Sequence, residues 1–340
     1  MKRNMRQWTQ EILASGGRCA FPLMAYAGAD LSGMSIHDIV SDGKLHGACI
    51  TALATRFPSA AFITAMDLSV EAEAFGSETQ YLENETPTIT GIIVHDAGEA
   101  DSLTVPSVGA GRTGVYLEAA AWAAKEISPV FGCLIGPFSL AGRLCGMTET
   151  LMNVHGEPEM LHRVLNKTTE FLVNYARGFK AAGANGIVIA EPAAGLISPV
   201  YCDAFSSHYV SSIVDAVQDE EFMVILHNCG GSGIHAASMA STGAAGLHFG
   251  NSADMKMVMK TVLPDILVFG NLDPVGVVRN GTGDDIRLAT LQLLRDTAGY
   301  PNFVLSTGCD VPPGTPLQNI DSFFSALAEY NESVICGRCL

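Results

Sequence analysis

Short apolar runs recur along the chain, each closed by a glycine- or proline-containing turn and followed by a segment of helical periodicity. The runs predict strands at Ala20–Ala25, Ala61–Met66, Val130–Ile135, Gly186–Ala190, Phe222–Leu226, Gly246–Phe249, Ile266–Gly270 and Phe303–Ser306. Runs such as GIVIA and FMVIL are apolar on both faces, which fits strands covered from two sides in a parallel sheet. Between them, Glu159–Ala182, Pro199–Val217 and Asp284–Ala298 carry the spacing of amphipathic helices. Eight strands alternating with helices over 340 residues predict an α/β fold, a (β/α)8 barrel rather than an open doubly wound sheet. No low-complexity linker or compositional break divides the chain, so residues 1–340 read as one domain. The stretch from Glu78 to Gly114 departs from the pattern, with its own short strands (TPTIT, GIIVHD) and a glycine-rich turn (VGAGRTG). It reads as an insertion after the second strand, packed near the barrel mouth.

Charge and composition narrow the partners. Nineteen Lys and Arg against 35 Asp and Glu leave a formal charge of −16. A surface that acidic repels phosphate backbones and anionic lipid, so neither nucleic acid nor a membrane surface is an expected partner. Hydrophobic residues make up 48%, too many for a disordered chain. Yet no run approaches the roughly 18–20 apolar residues that cross a bilayer. The start, MKRNMRQWTQEILASGG, is charged and then amphipathic, without the apolar segment of a signal peptide. The nine cysteines are an odd number and mostly scattered singly, unlike a secreted disulfide framework. The expected location is cytoplasmic.

Barrel chemistry sits at the C-terminal ends of strands. The fifth strand runs into His227-Asn228-Cys229-Gly230-Gly231, and residues two apart point to the same side of an extended chain. His227 and Cys229 therefore aim together into the mouth. The eighth strand ends in Thr307-Gly308-Cys309-Asp310, a second thiol at another strand end. One imidazole and two thiolates suit Zn²⁺ and leave one position open for substrate; the competing reading is of small, buried apolar cysteines. Asp67 and Glu191 end the second and fourth strands. Each is a candidate catalytic carboxylate, and each is equally suited to capping a helix or supporting a metal ligand. The glycines of GAGRTG lack the strand–helix setting of a dinucleotide fingerprint. Cys336 and Cys339 form an isolated CxxC, read as a tail with two thiols or as a contribution to a closed site with His227 and Cys229.

FPLMAYAG, MDLSVEAEAFG, GPFSLAGRLCGM, EPAAGLISPVYCDAFSSHYV, HNCGG, FGNLDP and STGCDVPPGTPLQNIDSF occur in that order over nearly the whole chain. Together they resemble the uroporphyrinogen decarboxylase superfamily, and within it the zinc methyltransferases that act on methylcobalamin and coenzyme M. The resemblance implies the (β/α)8 barrel. Decarboxylases of this family resemble LMRQAGRYL at the first strand end, where two arginines hold acid chains of the tetrapyrrole; Ala25 and Ala29 stand there instead. A substrate decorated with carboxylates loses its charge-assisted partners here. The decarboxylase tyrosine falls at Arg143, and its GHG is replaced by Gly308-Cys309-Asp310. Asp67 matches an acidic position shared by both branches.

The match of His227, Cys229 and Cys309 to the methyltransferase His-x-Cys…Cys motif implies a bound Zn²⁺ and a corrinoid (methylcobalamin) as donor or co-substrate. It also implies a thiol such as coenzyme M or another acceptor, with the corrinoid delivered by a separate carrier protein. Asp67 and Glu191 would orient or protonate groups around the mouth. Near the sixth strand the branch carries an acidic residue that can complete the zinc shell, and Gly250 aligns with it. His248, one pleat repeat earlier on the same face, is the candidate replacement ligand, and the competing reading is a histidine packed or hydrogen-bonded at a strand end. Two alternatives stand beside methyl transfer. One is a decarboxylase of the uroporphyrinogen type working through Asp67, and the other is a non-catalytic barrel that uses the cleft only for binding.

Overall fold

The computed structural model describes residues 3–336. Seven strands form one parallel sheet: β1 (Phe62–Ile63), β4 (Val130–Ile135), β5 (Gly186–Ala190), β6 (Met223–Asn228), β7 (Gly246–Phe249), β8 (Leu267–Leu272) and β9 (Phe303–Thr307), neighbours in that order. The remaining pair, β2 (Glu78–Leu82) and β3 (Glu85–Thr90), is an antiparallel hairpin inside the stretch read as an insertion. The sheet curls until both of its edges meet one segment of chain. Ala60 N–H donates to Ala20 C=O at 2.8 Å on one side, and Phe21 N–H donates to Leu305 C=O at 2.8 Å on the other.

Two of the expected strands shrink, for the same reason. Ala20–Ala25 is reduced to one bridge between Ala20 and Leu305, because Leu23 N–H donates to the Thr307 hydroxyl instead of a ladder carbonyl. Ala61–Met66 keeps only Phe62 and Ile63 as strand. Beyond them, Ala65 N–H bonds the His46 ring, Met66 N–H bonds the Asp310 carboxylate, and the Thr64 hydroxyl accepts from Cys133 N–H. Side chains take backbone partners there, and the regular ladder stops. Seven of the eight expected strands thus form the sheet, and a bridging segment stands where the first was expected.

Strand alternation sorts the side chains into two cores. Outward residues such as Ile187, Ile189, Leu247 and Leu305 pack under the helices. Among those helices is Pro158–Ala181, close to the expected Glu159–Ala182; its stripe of Leu161, Val164, Leu165, Phe171, Leu172 and Phe179 is buried. The expected helix at Pro199–Val217 is present with a wider π turn at Asp203–Ser207. That at Gly283–Asp296 begins in a reciprocal pair, with the Thr282 hydroxyl on Asp285 N–H and the Asp285 carboxylate on Thr282 N–H. Inward residues Phe21, Phe131, Val188, Met223, Ile225, Phe269 and Val304 fill the interior. Met5 and Trp8, from the N-terminal helix Met5–Ala14, join this inner core, with the Trp8 and Phe131 rings 6.2 Å apart. Above that apolar layer, the inward parity of Met223 and Ile225 continues to His227, and that of Val304 continues to Ser306.

Candidate metal centre

His227 is the penultimate residue of β6, and Cys229 follows the strand's last residue. Cys309 lies two residues beyond β9. The structure brings these three together: His227 Nε2 is 3.7 Å from Cys309 Sγ, and the two sulfurs are 3.9 Å apart. All three donor atoms lie within 4.8 Å of one another, and among the described residues no other group of His, Cys, Asp and Glu has this geometry. Tetrahedral Zn²⁺ with Zn–S near 2.3 Å and Zn–N near 2.0–2.1 Å separates its ligands by about 3.5–3.8 Å. The donor set fits that ion in both chemistry and spacing. Between the thiols, the Cys309 S–H points at Cys229: the bond it donates pulls the Cys229 thiol down, while that bond and burial push Cys309 up to about 12. A divalent metal takes the place of that shared proton.

His248 faces His227 directly across the β6–β7 register. It does not join the trio, because both of its nitrogens are engaged: Nδ1 with His227 Nδ1 at 2.8 Å and Nε2 with Ser306 Oγ at 2.9 Å. The Ser306 hydroxyl donates to Phe21 C=O at 2.6 Å, so its oxygen is left to accept from His248 Nε2–H. Burial, reinforced by His227, holds His248 well below the ordinary histidine range and hence neutral. A neutral ring protonated at Nε2 has a bare Nδ1, which accepts from His227 Nδ1–H. The Nε2 lone pair of His227 is then left facing the sulfurs, the tautomer a metal needs.

Gly250 has no room for the acidic residue that its position suggests. A Cβ there would stand 2.6 Å from Cys229 Cα and 2.9 Å from Cys229 O, so any side chain requires the Cys229 backbone to move. Cys336, exposed at the end of the helix Leu317–Ile335, does not join the trio. Cys339 lies outside the described residues.

The two candidate carboxylates are bound up in the walls. Asp67 Oδ1 accepts from Ser69 N–H and the Ser69 hydroxyl, while Oδ2 accepts from Arg112 and from the Tyr116 hydroxyl. Arg112, from the glycine-rich turn GAGRTG, also bonds Glu73 at 2.6 Å; together these contacts pin the inserted segment to the end of β1. Glu191 accepts from Phe138 N–H at 3.0 Å and Ser139 N–H at 2.6 Å, at the start of the helix Pro137–Cys145. Burial raises Glu191 to about 7 against these favourable bonds. Sequence reasoning missed Ser306 and Arg112. The first was signalled by its inward parity on the last strand, the second only by being a lone cation in a glycine-rich turn of an acidic chain.

Comparison with known proteins shows what the chain is similar to. The methylcobamide:CoM methyltransferase MtbA of Methanosarcina acetivorans is 29% identical over 270 residues, 78% of each chain. The methylated-thiol–coenzyme M methyltransferase of Methanosarcina mazei is 24% identical over 269 residues, 77% of this chain and 71% of that one. A uroporphyrinogen decarboxylase of Prochlorococcus marinus is 31% identical, but over 180 residues, 52% of this chain and 50% of its own. Among solved structures, a methyltransferase from Methanosarcina mazei shares the fold with a TM-score of 0.86, at 22% identity, over 96% of this chain and 99% of that one. The sequence pattern of uroporphyrinogen decarboxylase (URO-D) matches residues 18–330, and the chain belongs to that family.

Proposed function

We propose that this protein is a zinc-dependent corrinoid methyltransferase. It moves a methyl group between a methyl-cob(III)amide, presented by a separate carrier protein, and a thiol such as coenzyme M or another acceptor. The observation that carries the reading is the three-donor cluster at two strand ends, with the imidazole tautomer already set for ligation. His227, Cys229 and Cys309 hold the metal. When bound, zinc lowers the pKa of a substrate thiol so that it is a thiolate at neutral pH. In the transfer the sulfur electron pair forms the C–S bond, the Co–C bond breaks with its pair left on cobalt, and the thiol proton passes to solvent. The chain holds the two reactants in line, which is its main contribution to rate.

His248 and Ser306 keep the His227 lone pair aimed at the metal. Asp67 and Glu191 hold the walls of the mouth, Asp67 by anchoring Arg112 and Glu191 by capping a helix. A decarboxylase working through Asp67 is disfavoured, since every acceptor direction of that carboxylate is occupied. In this reading the chain is a single barrel unit, ring-closed through Cys19–Phe21, with the hairpin segment as its insertion. Among the described residues no helix is long and apolar enough to cross a membrane.

Protein purified without chelator should contain about one zinc per chain and release cob(I)alamin from methylcobalamin when a thiol is added. Cys309→Ala should lose most of the metal and all transfer, with an unchanged far-ultraviolet circular dichroism spectrum. Full zinc in that variant, or transfer by metal-free wild type, would overturn the proposal.

A further inference from the structure

Arg143 lies in the last turn of the helix that Glu191 caps, and it is half-buried. Among the described residues it makes no hydrogen bond or ion pair, although it is close enough to Asp67 to feel its charge. Asp67 cannot serve it, because Arg112, Tyr116 and Ser69 already occupy that carboxylate. Glu73 is likewise turned toward Arg112 and the Tyr81 hydroxyl. Two arginines thus approach one carboxylate and only one is bonded. A desolvated guanidinium keeps five donors in a planar fork and is costly to leave without an anion.

The space beside it is shaped for one. Arg143 lines a cleft of about 230 Å³ together with Met66, Leu68 and Ser69 from the end of β1, and Thr86–Ile89 from β3 of the inserted hairpin. A second orphan lies close by. The Tyr26 hydroxyl is buried without a hydrogen-bond partner, beside Thr86 and within reach of the charges of Asp67 and Asp310. The cleft also abuts the metal centre: Met66, one of its walls, donates its N–H to the carboxylate of Asp310, the residue after Cys309.

We propose that Arg143 and the inserted hairpin form the subsite for an anionic head group, a sulfonate or carboxylate, at the far end of the thiol acceptor. Arg143 is then a specificity-determining residue, and the insertion supplies the wall that selects the acceptor. The assignment rests on the methyl-transfer reading for the identity of the ligand's thiol end, but the anion subsite can be tested without it.

Ethanesulfonate and propionate, which have the head group and no thiol, should raise the melting temperature of the wild-type holoprotein. Arg143→Gln should abolish that rise, Arg143→Lys should restore part of it, and zinc content should be the same in all three. The larger response of the two probes identifies the head group. In turnover, Arg143→Gln should raise KM for 2-mercaptoethanesulfonate or 3-mercaptopropionate by about 10–100-fold, the loss of a charged hydrogen bond. KM for uncharged 2-mercaptoethanol should stay put. The subsite is refuted if neither probe stabilises the wild type, if both stabilise Arg143→Gln equally, or if charged and uncharged thiols lose affinity by the same factor. Head-group binding that depends on Arg143, in a protein that methylates no thiol, would leave the subsite standing and bring down the methyl-transfer reading alone.

Discussion

At the end of β1, Asp67 fills all its acceptor directions with donors from its own chain. At the ends of β6 and β9, Cys229 and Cys309 have only each other and His227. Both sets are polar, both sit at strand ends of one sheet, and by sequence both qualify as chemistry. The difference lies in how completely each is satisfied. A saturated carboxylate with a buried guanidinium is a rivet, whereas an imidazole and two thiols converging on one point have the geometry of a coordination shell. The metal loss expected of Cys309→Ala marks one side of the contrast, and substitutions on the other side should leave metal binding alone.

Arg112→Ala should produce the largest stability loss, about 3–5 kcal/mol, because it strands the buried carboxylate of Asp67. Urea unfolding measures it; normal zinc content in the same variant would confirm that the two regions are separable. A drop in zinc as steep as that in Cys309→Ala would erase the distinction drawn between them.

Ser306→Ala sharpens the contrast from within the metal side. It removes the acceptor of His248 Nε2–H and the donor to Phe21 C=O, freeing the His248 proton to move to Nδ1. The His227 ring then loses its bias toward a bare Nε2. Zinc affinity should fall by about tenfold, the lower end for a residue that orients a ligand; competition with a chromogenic chelator reads it out. Unchanged affinity would remove the serine from the relay.

A pH dependence supplies a further test, read on stability rather than on metal. Burial raises Glu71 to about 8 from its ordinary 4.5, only partly offset by the Ile135 N–H that bonds Oε1, and Oε2 has no partner. The folded state therefore holds a proton that the unfolded chain has released across that interval. Its contribution to stability is fully present below about 4.5 and is lost as pH rises through about 8. Glu71→Gln, a neutral mimic of the protonated acid, should match the wild type near about pH 5 and exceed it near about pH 9. Parallel curves for the two proteins would show that Glu71 is ionised throughout.

Most strand and helix positions were legible because both depend on local periodicity: GIVIA, FMVIL and the stripe of Pro158–Ala181 needed no tertiary information. The shortening of the first two strands was not, since it depends on Thr307, His46 and Asp310 reaching in from distant parts of the chain. The metal trio could be read from two-residue parity and strand ends. The place of His248 could not, because parity sets which face a residue occupies and says nothing of what its ring atoms bond. Asp67 and Glu191 show the same limit. A carboxylate at a strand end looks alike in sequence whether it reacts or is fully occupied by Arg112 or by the N–H groups of Phe138 and Ser139.

The N-terminal helix gives the interior a floor. Met5 N–H is tied to Glu220 C=O, and Met5 and Trp8 lie buried against the ring of Phe131 and its neighbours. With the interior filled and floored, the face at the C-terminal ends of the strands is where two reactants of very different bulk would have to meet. Under the proposed reaction the small acceptor has to enter before the bulky corrinoid carrier covers the opening, and the methylated product has to wait for that carrier to leave. Sequence of arrival, queueing and release would thereby follow from a filled interior that confines both reactants to one face. Steady-state kinetics should accordingly be ordered, with excess carrier inhibiting turnover by trapping the enzyme before its acceptor is aboard.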